Sequence, residues 1–147
     1  MEEKQQIVIS IVVPIYNSAS FMAKLVETID TQRILSDWIL ELILVDDGSH
    51  DNRLSVLGEY AKKDSQHIRV ISFRRNFGQT AAIAAGLDYA QGEIIVLLDA
   101  DMQNDPADIP MMLAKLDEGY DLVSGWRKSR KDNVLTRNFP SMIANWL

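Results

Sequence analysis

Residues 94–103 read Ile94-Ile95-Val96-Leu97-Leu98-Asp99-Ala100-Asp101-Met102-Gln103. A short apolar run with no polar break is the pattern of a strand buried on both faces, as parallel sheets produce, whereas a half-solvated strand alternates. With Glu93 in front, the spacing predicts a strand over 93–98 that empties directly into Asp99. Two other stretches repeat the pattern: Ile7 to Val13, closed by Pro14, and Leu40 to Val45, which runs into Asp46-Asp47-Gly48-Ser49. Ile68 to Phe73 is a further strand, followed by Arg74-Arg75-Asn76.

Helical spacing fills the intervals. Phe21, Leu25, Val26 and Ile29 predict one face of a helix over 19–32, and Leu54, Leu57 and Ala61 a face of another over 52–63, with Ser49 or Asp51 as its N-cap. The Ala-rich stretch 80–90 contains Gly86, which costs a helix about 1 kcal/mol relative to Ala unless close packing requires the missing side chain. It therefore reads as a helix pressed on the sheet. Asn104 or Asp105 as cap, Pro106 in the first turn and Gly119 past the end bracket a helix carrying Ile109, Met112, Leu113 and Leu116. A fifth strand is predicted over 120–124. Strand and helix alternate without hairpin signals, so the predicted fold class is α/β, a Rossmann-like, mostly parallel sheet with helices on both faces. Ligands of such sheets bind outside the carboxyl ends of the strands.

Composition narrows the function classes. The chain has 147 residues, 47% of them hydrophobic, enough for one core. Its net charge of -6 is the wrong sign for a nucleic-acid backbone binder. With no cysteine, disulfides and thiolate chemistry are excluded, and any metal sits on oxygen or histidine. Met1 to Gln6 does not resemble a secretion signal, and the apolar runs fall short of the roughly 20 residues needed to span a bilayer. The basic stretch after Arg127 and the apolar face growing through Ile143, Trp146 and Leu147 predict a unit over 1–127, then 128–147 leading into a C-terminal part truncated from this chain. His50 and His67 read as surface or capping residues, and Met111 and Met112 as core and helix face.

Every strand exit is polar: Pro14-Ile15-Tyr16-Asn17, Asp46-Asp47, Arg74-Arg75-Asn76, and Asp99 with Asp101. Converging on one edge, four carboxylates repel one another unless a cation or a set of donors compensates them. Asp99 and Asp101, with Gln103 at the same interval, offer three oxygen donors where the chain leaves the sheet. Such hard ligands suit Mg2+ or Mn2+, which keep open positions for phosphates and water. Asp46 and Asp47 fit either a capped strand-to-helix turn or a carboxylate holding a nucleobase or ribose. Tyr16 and Asn17 offer a ring face and an amide. Arg127 and its basic neighbours supply counter-charge for phosphates.

Five segments in this order, Val12-Val13-Pro14-Ile15-Tyr16-Asn17, Leu44-Val45-Asp46-Asp47-Gly48-Ser49, Arg75-Asn76-Phe77-Gly78-Gln79, Asp99-Ala100-Asp101-Met102-Gln103-Asn104-Asp105-Pro106 and Val123-Ser124-Gly125-Trp126-Arg127, resemble the family 2 inverting glycosyltransferases of the glycosyltransferase A fold. Within that family the chain is similar to dolichyl-phosphate mannose synthases and bacterial polyprenyl-phosphate sugar transferases. It departs at Ser18-Ala19-Ser20, where relatives carry Glu.

The resemblance implies that Asp99 and Asp101 are catalytic and, with Gln103, hold Mg2+ or Mn2+. It also implies a UDP- or GDP-sugar bound by Pro14, Tyr16, Asn17, Leu44, Asp46, Asp47, Asn76, Gln79, Asp99, Ala100, Asp101 and Arg127. The implied acceptor is a polyprenyl phosphate, already ionised near neutral pH and needing no general base, and the implied location is the cytoplasm or the cytoplasmic face of a membrane met through the C-terminal part. A saccharide acceptor is the alternative within the family, and a Mg2+-binding receiver-like domain the alternative outside it. A receiver domain requires a lysine after its last strand, where Gly125-Trp126 stands here.

Overall fold

The computed structural model describes residues 8–35, 39–50 and 53–125. Four strands, β1 (Val8–Ile15), β2 (Ile39–Asp46), β3 (Ile68–Ser72) and β4 (Ile94–Leu97), form one sheet in the order β3-β2-β1-β4 with every pairing parallel. The helices are α1 (Ala19–Leu35), α2 (Arg53–Lys63), α3 (Gln79–Tyr89) and α4 (Ile109–Asp117), the last preceded by a 3-10 turn at Pro106–Asp108. Right-handed crossovers fix the layers. The steps β1 to β2 and β2 to β3 move in one direction across the sheet and place α1 and α2 on one face. The step β3 to β4 moves back past β1 and places α3 on the other.

Both faces are correspondingly dry. Val12, Ile43, Val45 and Ala82 form a fully buried cluster beneath α3, with Ile71, Phe73 and Ala85 packed around it. On the opposite face Ile9, Ile11, Val13, Leu40, Leu42 and Leu44 are buried, along with the stripe Met22, Leu25, Val26 and Ile29 of α1. Phe21, expected on that stripe, is 43% exposed: Met22 takes its place one residue on. Gly86 lies where α3 crosses β1, and a Cβ there would stand 2.3 Å from Cγ1 of Val12. The glycine that weakens the helix locally is what lets it reach the sheet.

Pro14 does not end β1. It pairs in register with Val45 inside the strand. The reason is directional, since the carbonyl of Val12 faces β4 and accepts the N–H of Leu98, so the backbone N two residues on faces the same side, beyond the end of β4. The N–H that proline lacks has no strand to meet there.

Two other expectations change. β4 was predicted to be buried on both faces, yet Ile95 and Leu97 are 38% and 51% exposed. It pairs with β1 on one side, and among the described residues no strand covers the other. The fifth strand expected over 120–124 is not formed: the described residues there are irregular, with Leu122 84% exposed, and apolar character alone does not make a strand without a ladder to join. The chain divides into compact units at Met1–Met111 and Met112–Leu147; the described part of the second contains the end of α4, the Lys115–Glu118 ion pair and a left-handed turn at Gly119. The boundary expected after Arg127 lies outside the described residues.

Polar networks pin the sheet's amino end. Ser10 donates to Glu41 and accepts the N–H of Gly92, and the same Glu41 oxygen accepts the N–H of Gln91, fixing the entry to β4. Between α1 and β3, Asp64 accepts from the His67 ring at 2.7 Å and from the His67 N–H at 3.3 Å, with Arg33 at 3.5 Å. Burial pushes the Asp64 carboxyl upward, but the His67 hydrogen bonds and the charges of His67 and Arg33 outweigh it and hold the group below its ordinary value.

Replacing Gly86→Ala is expected to destabilise the protein by about 1–2 kcal/mol in urea melts, because overpacking against a stiff, buried valine exceeds the helix-propensity gain. The depressed Asp64 carboxyl adds stability above the ordinary carboxylate pKa that is lost as pH falls through the lowered one. Between pH 6 and pH 3 the melting temperature of Asp64→Asn should therefore fall less than that of the wild type; an equal fall would show that the network does not hold the ionised form.

Candidate functional site

The strand order sets a switch point. From β1 the chain steps outward to β2 and β3, then returns past β1 to β4, so the direction of travel reverses between β1 and β4, and sheets of this kind bind ligands in the gap outside the carboxyl ends of such a pair. Tyr16 and Asn17 leave β1 at this gap, and Asp99 to Met102 leave β4. Among the described residues, Asn17 at φ 51 and Met102 at φ 59 are the non-glycine residues with left-handed backbone, and they stand at these two exits. For a methionine that conformation is uncommon. Here Asp101 supports it locally: its carboxylate accepts the N–H of Gln103 at 3.0 Å, closing a turn over Met102.

The carboxylates of β2 and β4 do different work. Asp46 is 1% exposed and accepts from the Ser49 N–H at 3.4 Å and the Ser72 hydroxyl at 3.3 Å, which ties the tip of β2 to that of β3. Asp47, 3% exposed, accepts from two consecutive amides of another loop, Phe77 at 2.7 Å and Gly78 at 2.9 Å. Gly48 permits that approach, since a Cβ on it would lie 2.2 Å from the Arg75 backbone. The loop so held presents Arg75 over the Phe77 ring at 4.6 Å, a cation–π contact. Asp99 is half-buried and accepts from Gln79 Nε2 at 3.1 Å, while Asp101 is exposed.

Of the two compensations the sequence left open for four carboxylates at one rim, a cation or a set of donors, Asp46 and Asp47 have the second. Among the described residues no three acidic or histidine side chains cluster closely enough to hold a metal. Backbone amides and hydroxyls compensate Asp46 and Asp47, which leaves Asp99 and Asp101 as the pair at the crevice. Leu44, expected to touch the nucleotide, has a fully buried side chain within the sheet and supports the site from below. Pro14 is partly buried beneath the exposed Tyr16; Asn76, Gln79 and Gln103 are exposed, and Ala100 is buried against the fold. Arg127 lies outside the described residues. Ser72 carries no signal in the sequence, and Ser49, read there only as a helix cap, also accepts the N–H of Asn17 at 3.3 Å, linking the tips of β1 and β2. Only the strand register could have revealed Ser72, which pairs with Asp46.

Comparison with known proteins gives the family and the fold. The chain is 44% identical over 144 residues to the dodecaprenyl-phosphate galacturonate synthase of Rhizobium johnstonii, an alignment covering 97% of this chain and 43% of that protein. It is 37% identical over 135 residues to the undecaprenyl-phosphate 4-deoxy-4-formamido-L-arabinose transferase of Klebsiella pneumoniae, covering 92% and 41%. The chain thus spans about two fifths of the length of these relatives. Among solved structures, the mannosyltransferase of Pyrobaculum calidifontis in complex with GDP-mannose and Mn2+ superposes with a TM-score of 0.59 at 27% identity, covering 67% of this chain and 28% of that one. The fold is that of the glycosyltransferase A enzymes. Residues 10–146 match the family model described as glycosyl transferase family 2, and the chain belongs to that family.

Proposed function

We propose that this chain is the donor-binding part of an inverting glycosyltransferase that moves a sugar from a UDP- or GDP-sugar to a polyprenyl phosphate. The observation that carries the reading is the pair Asp99 and Asp101 just past the carboxyl end of β4, the strand beside β1, with Asp46 and Asp47 already committed to the fold. The relatives' names support the acceptor class: both are transferases of polyprenyl phosphates.

A divalent cation fits these residues. Two carboxylates with Gln103 nearby make an incomplete shell of hard oxygen donors, as Mg2+ or Mn2+ accept when substrate phosphates supply the remaining positions. Asp99, Asp101 and Gln103 would hold it. Bound there, it would neutralise charge that builds on the departing nucleoside diphosphate. The protein's own contribution is placement. Tyr16 presents a half-exposed ring and Asn17 an amide at the exit of β1, where a base and ribose would lie. Asp46 and Asp47 keep the rim rigid. The acceptor oxygen of a prenyl phosphate is ionised near neutral pH, so attack on the anomeric carbon requires no proton removal and no side-chain base. Arg127, and membrane contact through residues after 127, complete this reading, which places the enzyme on the cytoplasmic face of a membrane.

Calorimetric titration with UDP and with GDP, each with Mn2+ and with chelator, tests the donor site. One nucleotide should bind more tightly with Mn2+, and Asp101→Asn should weaken that binding at least about tenfold by removing one of two anionic ligands; equal affinity in chelator would refute the metal assignment. A chain extended to the length of its relatives should transfer sugar from a nucleotide donor to prenyl phosphate in detergent. Transfer to free saccharides alone would replace the lipid acceptor with a sugar.

A further inference from the structure

Gln79 was expected to touch the donor, but in the structure its amide turns to a protein carboxylate. Nε2 donates to Oδ1 of Asp99 at 3.1 Å. The orientation follows from chemistry, because an ionised carboxylate only accepts and the amide must present its N–H2 group to it. Gln79 is the first residue of α3, and the start of that helix is itself fixed. Gly78, at φ 98, turns its own N–H and that of Phe77 onto the buried Asp47 at 2.9 and 2.7 Å. The N-cap residue of α3 makes no side-chain cap, so Asp47, just past β2, supplies the negative group at its amino end, where unpaired N–H groups and the helix dipole favour one. On the β4 side, the residue before Asp99 is anchored to β1 through the Leu98 N–H and the Val12 carbonyl at 3.1 Å. One line of contacts runs from the tip of β2, through the start of α3, to one oxygen of Asp99. The hydrogen bond that holds the Asp101 carboxylate among the described residues is local, from the Gln103 N–H within its own turn.

We propose that Gln79 is a positioning residue for Asp99. It engages Oδ1, fixes the side-chain rotamer and leaves Oδ2 free for a divalent ion, while Asp47 sets where Gln79 stands. The inference rests on the metal reading under Proposed function and assigns Gln79 to the carboxylate instead of to the nucleotide. Partners that orient a metal ligand through its second atom typically change metal affinity 10–100-fold when removed. Because Gln79 is exposed, its replacement leaves the core intact.

The test is a binding cycle on the 147-residue chain. The quantity read is the factor by which Mn2+ raises affinity for the nucleoside diphosphate, by calorimetry with the metal and with chelator. Gln79→Met keeps the length of the side chain and removes the donor. It should reduce the Mn2+ factor about tenfold, at the low end of that range, with affinity in chelator and melting temperature unchanged. In an Asp99→Asn background the same replacement should cause no further loss, since Gln79 acts through Asp99. A fall in chelator affinity, or equal losses in both backgrounds, would show direct contact with the nucleotide and overturn the proposal. So would an unchanged Mn2+ factor in Gln79→Met. A wild-type chain whose nucleotide affinity is indifferent to Mn2+ would instead sink the underlying metal reading, and this inference with it.

Discussion

The buried carboxylate of Asp47, accepting two consecutive amides at the entrance to α3, is the interaction on which the arrangement of the rim depends. Each hydrogen bond to a buried charge is worth roughly 1.5–3 kcal/mol, and removing the charge leaves two donors without a partner. A parallel sheet aligns strand tips but does not by itself fix the loops that leave them. Asp47 does this for the loop after β3, and Gly48 lets the two backbones close to contact. The placement of Arg75 over Phe77, and of Gln79 beside Asp99, follows from that anchor.

The two ends of the sheet are thus organised by the same device for different purposes. At the amino end, Glu41 accepts from Ser10 and from the Gln91 amide, which sets the entry to β4 relative to its neighbours. At the carboxyl end, Asp46 and Asp47 accept from the loops after β2 and β3. Buried acidic groups bound by backbone and hydroxyl donors have their oxygens occupied by the fold. Asp99 and Asp101, at the exit of β4, are the less buried pair. Two carboxylates plus phosphate oxygens suit a metal shared with its ligand better than a closed protein cage.

The family model places the chain among family 2 glycosyl transferases, and the local geometry separates the polar side chains tied into the fold from those left exposed. Left-handed backbone at Asn17 and Met102, on either side of the crevice, turns the chain sharply at both exits. Tyr16 is left exposed above a strand buried from Ile9 to Val13, the kind of surface a base can cover.

Residue order alone determined the alternation of strands and helices and the parallel sheet, and it drew attention to the carboxylates after 98. Unbroken β-branched runs and helical spacing are local signals, and parallel connectivity follows from them. It also picked out Asp46, Asp47, Asp99 and Asp101, because acidic residues where buried strands end are conspicuous. It could not say which of them are free. That depends on hydrogen bonds between residues 20 to 31 positions apart, such as Asp47 with Phe77 and Gln79 with Asp99. Nor could it distinguish Leu44, an apolar residue at a strand's end, from one that touches ligand. The exposed face of β4 and the irregular 120–125 segment mark the same limit. An apolar run states that a segment favours burial, but only the neighbours assembled around it decide whether burial and pairing occur.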